Sequence, residues 1–286
     1  MATLSEMEFY YHLHLSERYD KEEIQNFYFL SCEYLVGLTR AAVHLSKEKN
    51  LDDNKLSKFY SIVNQLKQEQ PIQYILGETE FYGLKFFVNE NVLIPRQETE
   101  ELVHWIIQDY KNKSQVQILD IGTGSGCIPI SLAHFLPQAK LQSLDVSESA
   151  LEVAAKNATI NNTAVLFHQS DILGKKFPAN FETGSFDCIV SNPPYIRSSE
   201  KVQMSKNVLN FEPHLALFVN DDTPLLFYEA IANFAQAYLK KEGNIYFEIN
   251  EALGNEVVTL LESKAFRTIE LKQDLNGKDR MIKASK

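Results

Sequence analysis

The sequence predicts an α/β protein: a doubly wound, mostly parallel sheet preceded by a small all-helical domain and a β-hairpin. Three observations carry this. Apolar residues before Pro71 recur at helical spacing. A glycine at 83 sits between β-branched and aromatic residues. From about residue 92, short apolar runs alternate with helical stretches.

In the first segment, Leu56, Phe59, Tyr60, Val63 and Leu66 form one stripe, and Ile24, Phe27, Tyr28, Leu35 and Leu38 form another in a longer helix. Thr3 with Glu6, and Asp20 with Glu23, have capping-box spacing. Residues 1–70 therefore read as a helical domain. Residues 71–91 read as a hairpin connector, because Glu78 to Val88 is β-prone with a central Gly83. Residues 92–286 read as the sheet domain. Its strands are expected at 116–119, 140–144, 165–167, 187–191, 244–249, 268–271 and 280–283. Most are short and apolar, as strands covered on both faces must be. Helical stretches such as Leu102-Val103-Ile106-Ile107 and Leu151-Val153-Ala154-Ala158 lie between them. Ligands in such folds bind beyond the carboxyl ends of the strands.

Composition narrows the function. With 28 basic and 38 acidic residues the formal charge is −10, which weighs against a nucleic-acid partner. The three cysteines, Cys32, Cys127 and Cys188, are far apart and odd in number, so neither a disulfide framework nor a metal site is expected. The start, Met1 to Glu6, has no basic or apolar leader character, and no run reaches the roughly 18 apolar residues of a membrane span. A cytoplasmic protein is expected.

The strongest local signal is Asp120-Ile121-Gly122-Thr123-Gly124-Ser125-Gly126, a strand running into three alternate glycines before a helix. Glycine lets backbone turn sharply and approach a ligand. A dinucleotide fingerprint needs its third glycine at 127, where Cys127 stands, and no Gly-Lys-Ser/Thr follows. Asp120 beside the loop would repel a pyrophosphate but tolerates a cationic sulfonium. That points to S-adenosyl-L-methionine. Asp145 closes the next strand and suits either ribose hydroxyls or a helix cap. Asp171 suits either a position near an adenine or a cap.

The fourth strand ends in Ser191-Asn192-Pro193-Pro194-Tyr195. Two prolines stiffen the loop and leave carbonyls as acceptors. Asn192 adds a side-chain acceptor, and Tyr195 a flat face. The set fits a planar –NH2 whose two hydrogens are accepted and whose plane is covered. Positioning and electrostatics would then raise the nitrogen's reactivity without a strong base.

With both motifs read, the chain resembles the HemK/PrmC family of peptide chain release factor protein-(glutamine-N5) methyltransferases. The likeness runs from about residue 70 to the end. It includes Gln73-Tyr74-Ile75-Leu76-Gly77-Glu78, Ile94-Pro95-Arg96-Gln97-Glu98-Thr99, Phe211-Glu212-Pro213 with Ala216-Leu217, Tyr246-Phe247-Glu248-Ile249 and Asp279-Arg280. Gln97 stands where the family usually has proline, and Ile172 where some members carry an aromatic. The resemblance implies a Rossmann-like class I methyltransferase sheet that uses S-adenosyl-L-methionine. It implies cofactor contacts at Gly122, Thr123, Gly124, Ser125, Gly126, Asp145, Ile172 and Asn192. It implies an acceptor clamp of Asn192, Pro193, Pro194 and Tyr195, with Asn192, Pro193 and Tyr195 at the reacting centre. Class 1 release factors would be the substrate, modified at the glutamine of a Gly-Gly-Gln segment and gripped by the helical domain. Asn-Pro-Pro-Tyr is shared with N6-adenine methyltransferases, so a nucleic-acid amine acceptor is the alternative. A non-catalytic binding module is another, disfavoured because it has no need of an amide clamp.

Overall fold

The computed structural model describes residues 2–174 and 176–286. Met1, where the helical segment was taken to begin, lies outside them. The chain divides into two compact units, one comprising Met1–Gly77 with Ser205–Phe211 and the other Glu78–Met204 with Glu212–Lys286.

The first unit is helical: α1 (Leu4–Leu15), α2 (Lys21–Val36), α3 (Arg40–Leu45), α4 (Asp53–Leu66) and α5 (Ile72–Leu76). Thr3 and Glu6 close a reciprocal capping box on α1. Asp20 caps α2 through the Glu23 N–H at 2.8 Å. Gly37 ends α2 in the left-handed conformation, so Leu38 falls beyond the helix it was expected to join. On α4 the buried stripe is Leu56, Phe59, Ile62, Val63 and Leu66; Tyr60 turns outward. Tyr11 and Tyr28 are buried with their hydroxyls bonded to Ser31 and to the Leu4 carbonyl, as buried phenols require.

The second unit opens with the hairpin β1 (Glu78–Phe81) and β2 (Leu84–Phe87). Phe81 and Phe86 enter the core of this same unit. There follow α6 (Gln97–Tyr110), β3 (Gln117–Ile121), α7 (Cys127–Phe135), β4 (Lys140–Asp145), α8 (Glu148–Ile160), β5 (Val165–Gln169) and β6 (Phe186–Ser191). After the short β7 (Ile196–Arg197), α9 (Lys206–Phe211), which belongs to the first unit, and β8 (Phe218–Val219) come α10 (Leu226–Tyr238), β9 (Leu239–Glu248), α11 (Gly254–Ser263), β10 (Arg267–Gln273) and β11 (Asp279–Ser285).

The main sheet has seven strands in the order β10-β11-β9-β6-β3-β4-β5. All seven expected strands are present in it. β3, β4, β5, β6 and β9 pair in parallel, while β11 is antiparallel to both neighbours. Two apolar cores cover its faces, one containing Phe186, Tyr228 and Phe247, the other Leu102, Ile118 and Tyr246. The connections run one way from β3 to β4 and the other way to β6, so the carboxyl ends of β3 and β6 flank the switch point where such sheets bind ligands. No described helix is long and apolar enough to cross a membrane. Cys32, Cys127 and Cys188 are free thiols, two buried and one half-buried.

Candidate active site

A cleft with about 890 Å³ of empty space, mouth included, opens at that switch point. Gly122 and Gly124 form part of its lining, with Asp145 and Val146 from the end of β4, Asp171 and Ile172 from beyond β5, and Asn192, Pro193 and Pro194 from the end of β6.

The three glycines have three separate reasons. A Cβ on Gly122 would touch the Asn192 carbonyl at 4.0 Å, so the loops after β3 and β6 run against each other here. Gly124, at φ +51°, has nothing within 4 Å of a built Cβ; a side chain there would enter the cleft. Gly126, at φ +82°, would drive a Cβ to 2.7 Å from Ile130 and 3.1 Å from Ala154, so it sets the approach of α7 to α8. Thr123 and Ser125 are buried and do not line the cleft. Thr123 donates to Asp120 Oδ2 at 2.6 Å, as does Ser143 at 2.8 Å. Asp120 is fully buried and its Oδ1 has no partner among the described residues. Burial pushes its carboxyl up to about 7, against the pull of the two hydroxyls.

Asp145 accepts from the Gly124 N–H and the Ser147 N–H, both at 2.9 Å. Ser147 takes the cap of α8, so capping does not account for Asp145. Two bonds leave lone pairs on the carboxylate for further donors, and burial raises its pKa. Asp171 bonds the Leu173 N–H at 2.8 Å, which fixes the local turn. Among the described residues the cleft holds two carboxylates and no lysine or arginine. Two carboxylates suit a cationic ligand with hydroxyls better than a phosphate. The open space above Gly124, the Asp145 carboxylate and the apolar wall of Val146, Ile172, Phe227 and Ile231 fit a sulfonium cofactor with a ribose and a flat base.

Asn192, half-buried, donates from Nδ2 to Thr99 Oγ1 at 3.2 Å. Thr99 donates to Glu248 Oε2 at 2.6 Å. Tyr195 donates to Glu248 Oε1 at 3.1 Å. Tyr195 stands behind the cleft, outside its lining. Burial raises the pKa of both Glu248 and Tyr195.

Sequence reasoning passed over several of these residues. Phe227 and Ile231, on α10, line the cleft, and so do Asn91 and Val92 after the hairpin; no local motif marks them. Asn157 is fully buried in α8; its Nδ2 donates to the Phe87 and Ser125 carbonyls, and its Oδ1 accepts from the Phe87 N–H. It thereby joins the hairpin to the glycine loop. An amide within an apolar helix pattern was the only trace of it. Gln97 occupies the first turn of α6, where proline is favoured because its missing N–H would have no partner, so glutamine there removes no hydrogen bond.

A family model of the methyltransferase small domain matches residues 98–212, which include both loops, and one of the PrmC N-terminal domain matches residues 10–77. The fold also resembles solved structures: a methyltransferase from Pyrococcus furiosus (TM-score 0.50, 16% identity, 82% of this chain and 98% of that one) and the hMettl16 catalytic domain (TM-score 0.52, 14% identity, 82% of each). Fold and site together define an S-adenosylmethionine-dependent methyltransferase. The release factor glutamine methyltransferase of Flavobacterium psychrophilum is 49% identical over 95% of both chains. That of Bacteroides thetaiotaomicron is 41% identical over 95% of this chain and 96% of its own. The chain belongs to the release factor glutamine methyltransferase family.

Proposed function

We propose that this protein transfers a methyl group from S-adenosyl-L-methionine to the side-chain amide nitrogen, N5, of the glutamine in the Gly-Gly-Gln motif of class 1 peptide chain release factors. The observation that carries the reading is the Asn192–Pro193 edge of the cleft, which stands against Gly122 in a chain 49% identical to a release factor glutamine methyltransferase.

When bound, the cofactor supplies a methyl group on a positively charged sulfur. Gly122 and Gly124 would give it backbone clearance, Asp145 would receive its ribose hydroxyls, and Ile172 would border its base. Asn192 Oδ1 and the Pro193 carbonyl each accept one N–H of the glutamine amide. This orients the nitrogen's lone pair and raises its electron density. Pro193 and Pro194 keep both acceptors in place, and Tyr195, outside the lining, steadies the loop through its hydroxyl bond to Glu248. The N–C bond would form as the methyl–sulfur bond breaks, and the nitrogen, made acidic by the transfer, would then lose a proton. Asn192 is no base, and Glu248 already accepts two hydroxyls, so the proton passes to water. The helical unit grips the protein substrate, residues 71–91 connect it to the methyltransferase part, and no nucleic acid is bound. The protein acts in the cytoplasm, where release factors work.

The test is transfer of labelled methyl to purified release factor, with DNA and RNA in parallel. One methyl on the glutamine side chain, absent when that glutamine is alanine, is expected. Label on a nucleobase overturns the acceptor assignment.

A further inference from the structure

The geometry points to Glu248 and Thr99 as positioning residues that fix which way the Asn192 amide faces, and hence the site's choice of an –NH2 acceptor. Asparagine presents a carbonyl on one side and an NH2 on the other, and only the carbonyl can accept a substrate N–H. A threonine hydroxyl has a single hydrogen. That of Thr99 is committed to Glu248 Oε2 at 2.6 Å, in a site where Thr99 and Glu248 are 2 % and 1 % exposed. Its oxygen can then only accept from Asn192, and it does so at 3.2 Å. The NH2 of Asn192 is drawn back toward α6, and Oδ1, which no described donor reaches, is left for the cleft. With the amide reversed, an NH2 would meet the cleft and would favour a carboxylate instead. The other Glu248 oxygen holds the Tyr195 hydroxyl at 3.1 Å, and Asn250 holds the Tyr195 carbonyl at 3.2 Å. One buried carboxylate thus sets two members of the Asn-Pro-Pro-Tyr loop. Glu248 closes β9, the parallel neighbour of β6, and Thr99 lies in the first turn of α6, so both anchors sit on regular elements.

This inference rests on the amide reading above, and two measurements separate their fates. The first is kinetic. Thr99→Val keeps the shape but removes the relay. It should lower kcat by roughly tenfold or more, with cofactor affinity within about twofold of wild type; Thr99→Ser should recover most of the loss. In an Asn192→Asp background, whose two oxygens are equivalent, Thr99→Val should add no further loss. An equal loss in both backgrounds, or no loss in either, overturns the relay. The second needs no substrate. The Asn192 side-chain NH2 pair, identified in a ¹⁵N–¹H spectrum by its absence in Asn192→Asp, should show one proton protected from solvent exchange. That protection should vanish in Thr99→Val and survive in Thr99→Ser. Two equally exchanging protons in the wild type overturn the proposal whichever acceptor the enzyme uses. Failure of the wild type to methylate release factor, with the protected proton present, overturns only the acceptor.

Discussion

Arg96 and Glu212 form an ion pair, Nη2 to Oε1 at 2.6 Å, between segments 116 residues apart. The second Glu212 oxygen accepts the Ile94 N–H at 3.2 Å. The pair fastens the stretch after the hairpin, with Asn91 to Leu93 in the cleft wall, to Pro213, Leu215 and Ala216 in the same wall. The Glu212 carboxyl is 1% exposed and the Arg96 side chain 33%. Arg96→Met strands a buried charge. We expect a loss of about 2 kcal/mol in stability by urea denaturation, below the cost of breaking a fully buried pair because water still reaches the guanidinium. Adding Glu212→Gln should recover part of it. An unchanged midpoint in the single variant refutes the role.

Gly124 and Gly126 should fail differently. Gly124→Val leaves the fold standing, at about 1–3 kcal/mol for the left-handed backbone, and abolishes binding of S-adenosylhomocysteine in calorimetry. Gly126→Ala meets Ile130 and Ala154 and should lower the melting temperature first. Tight ligand binding by Gly124→Val refutes the assignment of the cleft to the cofactor.

Asn192→Ala removes the acceptor while leaving the glycine loop and Asp145 in place. The transfer rate should fall roughly a hundredfold or more, as when one preorganised polar contact is lost at a reacting centre. Cofactor affinity should fall only in part. A rate within threefold of wild type shows that Asn192 does not hold the acceptor.

The sheet was legible because strands buried on both faces are bare apolar runs between turn residues, as in Ile189-Val190 before Asn192. The start of β9 was not: Lys240, Lys241 and Glu242 break the apolar run, and the register with β6 shifts at this point. The glycine and Asn-Pro-Pro-Tyr loops were legible because unusual backbone demands unusual residues. The Thr99–Glu248 relay spans 149 positions and uses common residue types. Both residues lie in segments that carry the family resemblance, and a physical trace is the glutamate inside Ile245-Tyr246-Phe247-Glu248-Ile249, a polar group in a run that is otherwise core. A buried acid needs partners, but only the tertiary fold says which.

The helical unit exposes Phe9 and Leu13, 67% and 60% accessible, four residues apart on α1 and so on one face. If this unit grips the release factor, Phe9→Ser with Leu13→Ser should raise the KM for intact release factor severalfold. It should leave kcat and cofactor affinity unchanged. An unaltered KM would place the grip elsewhere on the unit.

Asp120 gives the pH dependence. Burial raises its carboxyl to about 7 in the folded protein, from 3.8 for the exposed group. Between those values the folded protein holds a proton that the unfolded chain releases, so this group's contribution to stability is full below about 4 and is lost as pH rises through about 7. The loss is on the order of a few kcal/mol. Asp120→Asn cannot ionise. The variant and wild type should melt at similar temperatures near pH 4, and the variant several degrees higher near pH 8. Because the comparison is between two proteins at each pH, titrations they share cancel. A cationic cofactor favours the ionised carboxyl, so S-adenosylmethionine should raise the wild-type melting temperature more at pH 8 than at pH 5, and this difference should disappear in Asp120→Asn. Parallel melting profiles for the two proteins across this range would mean that Asp120 is already ionised in the folded state.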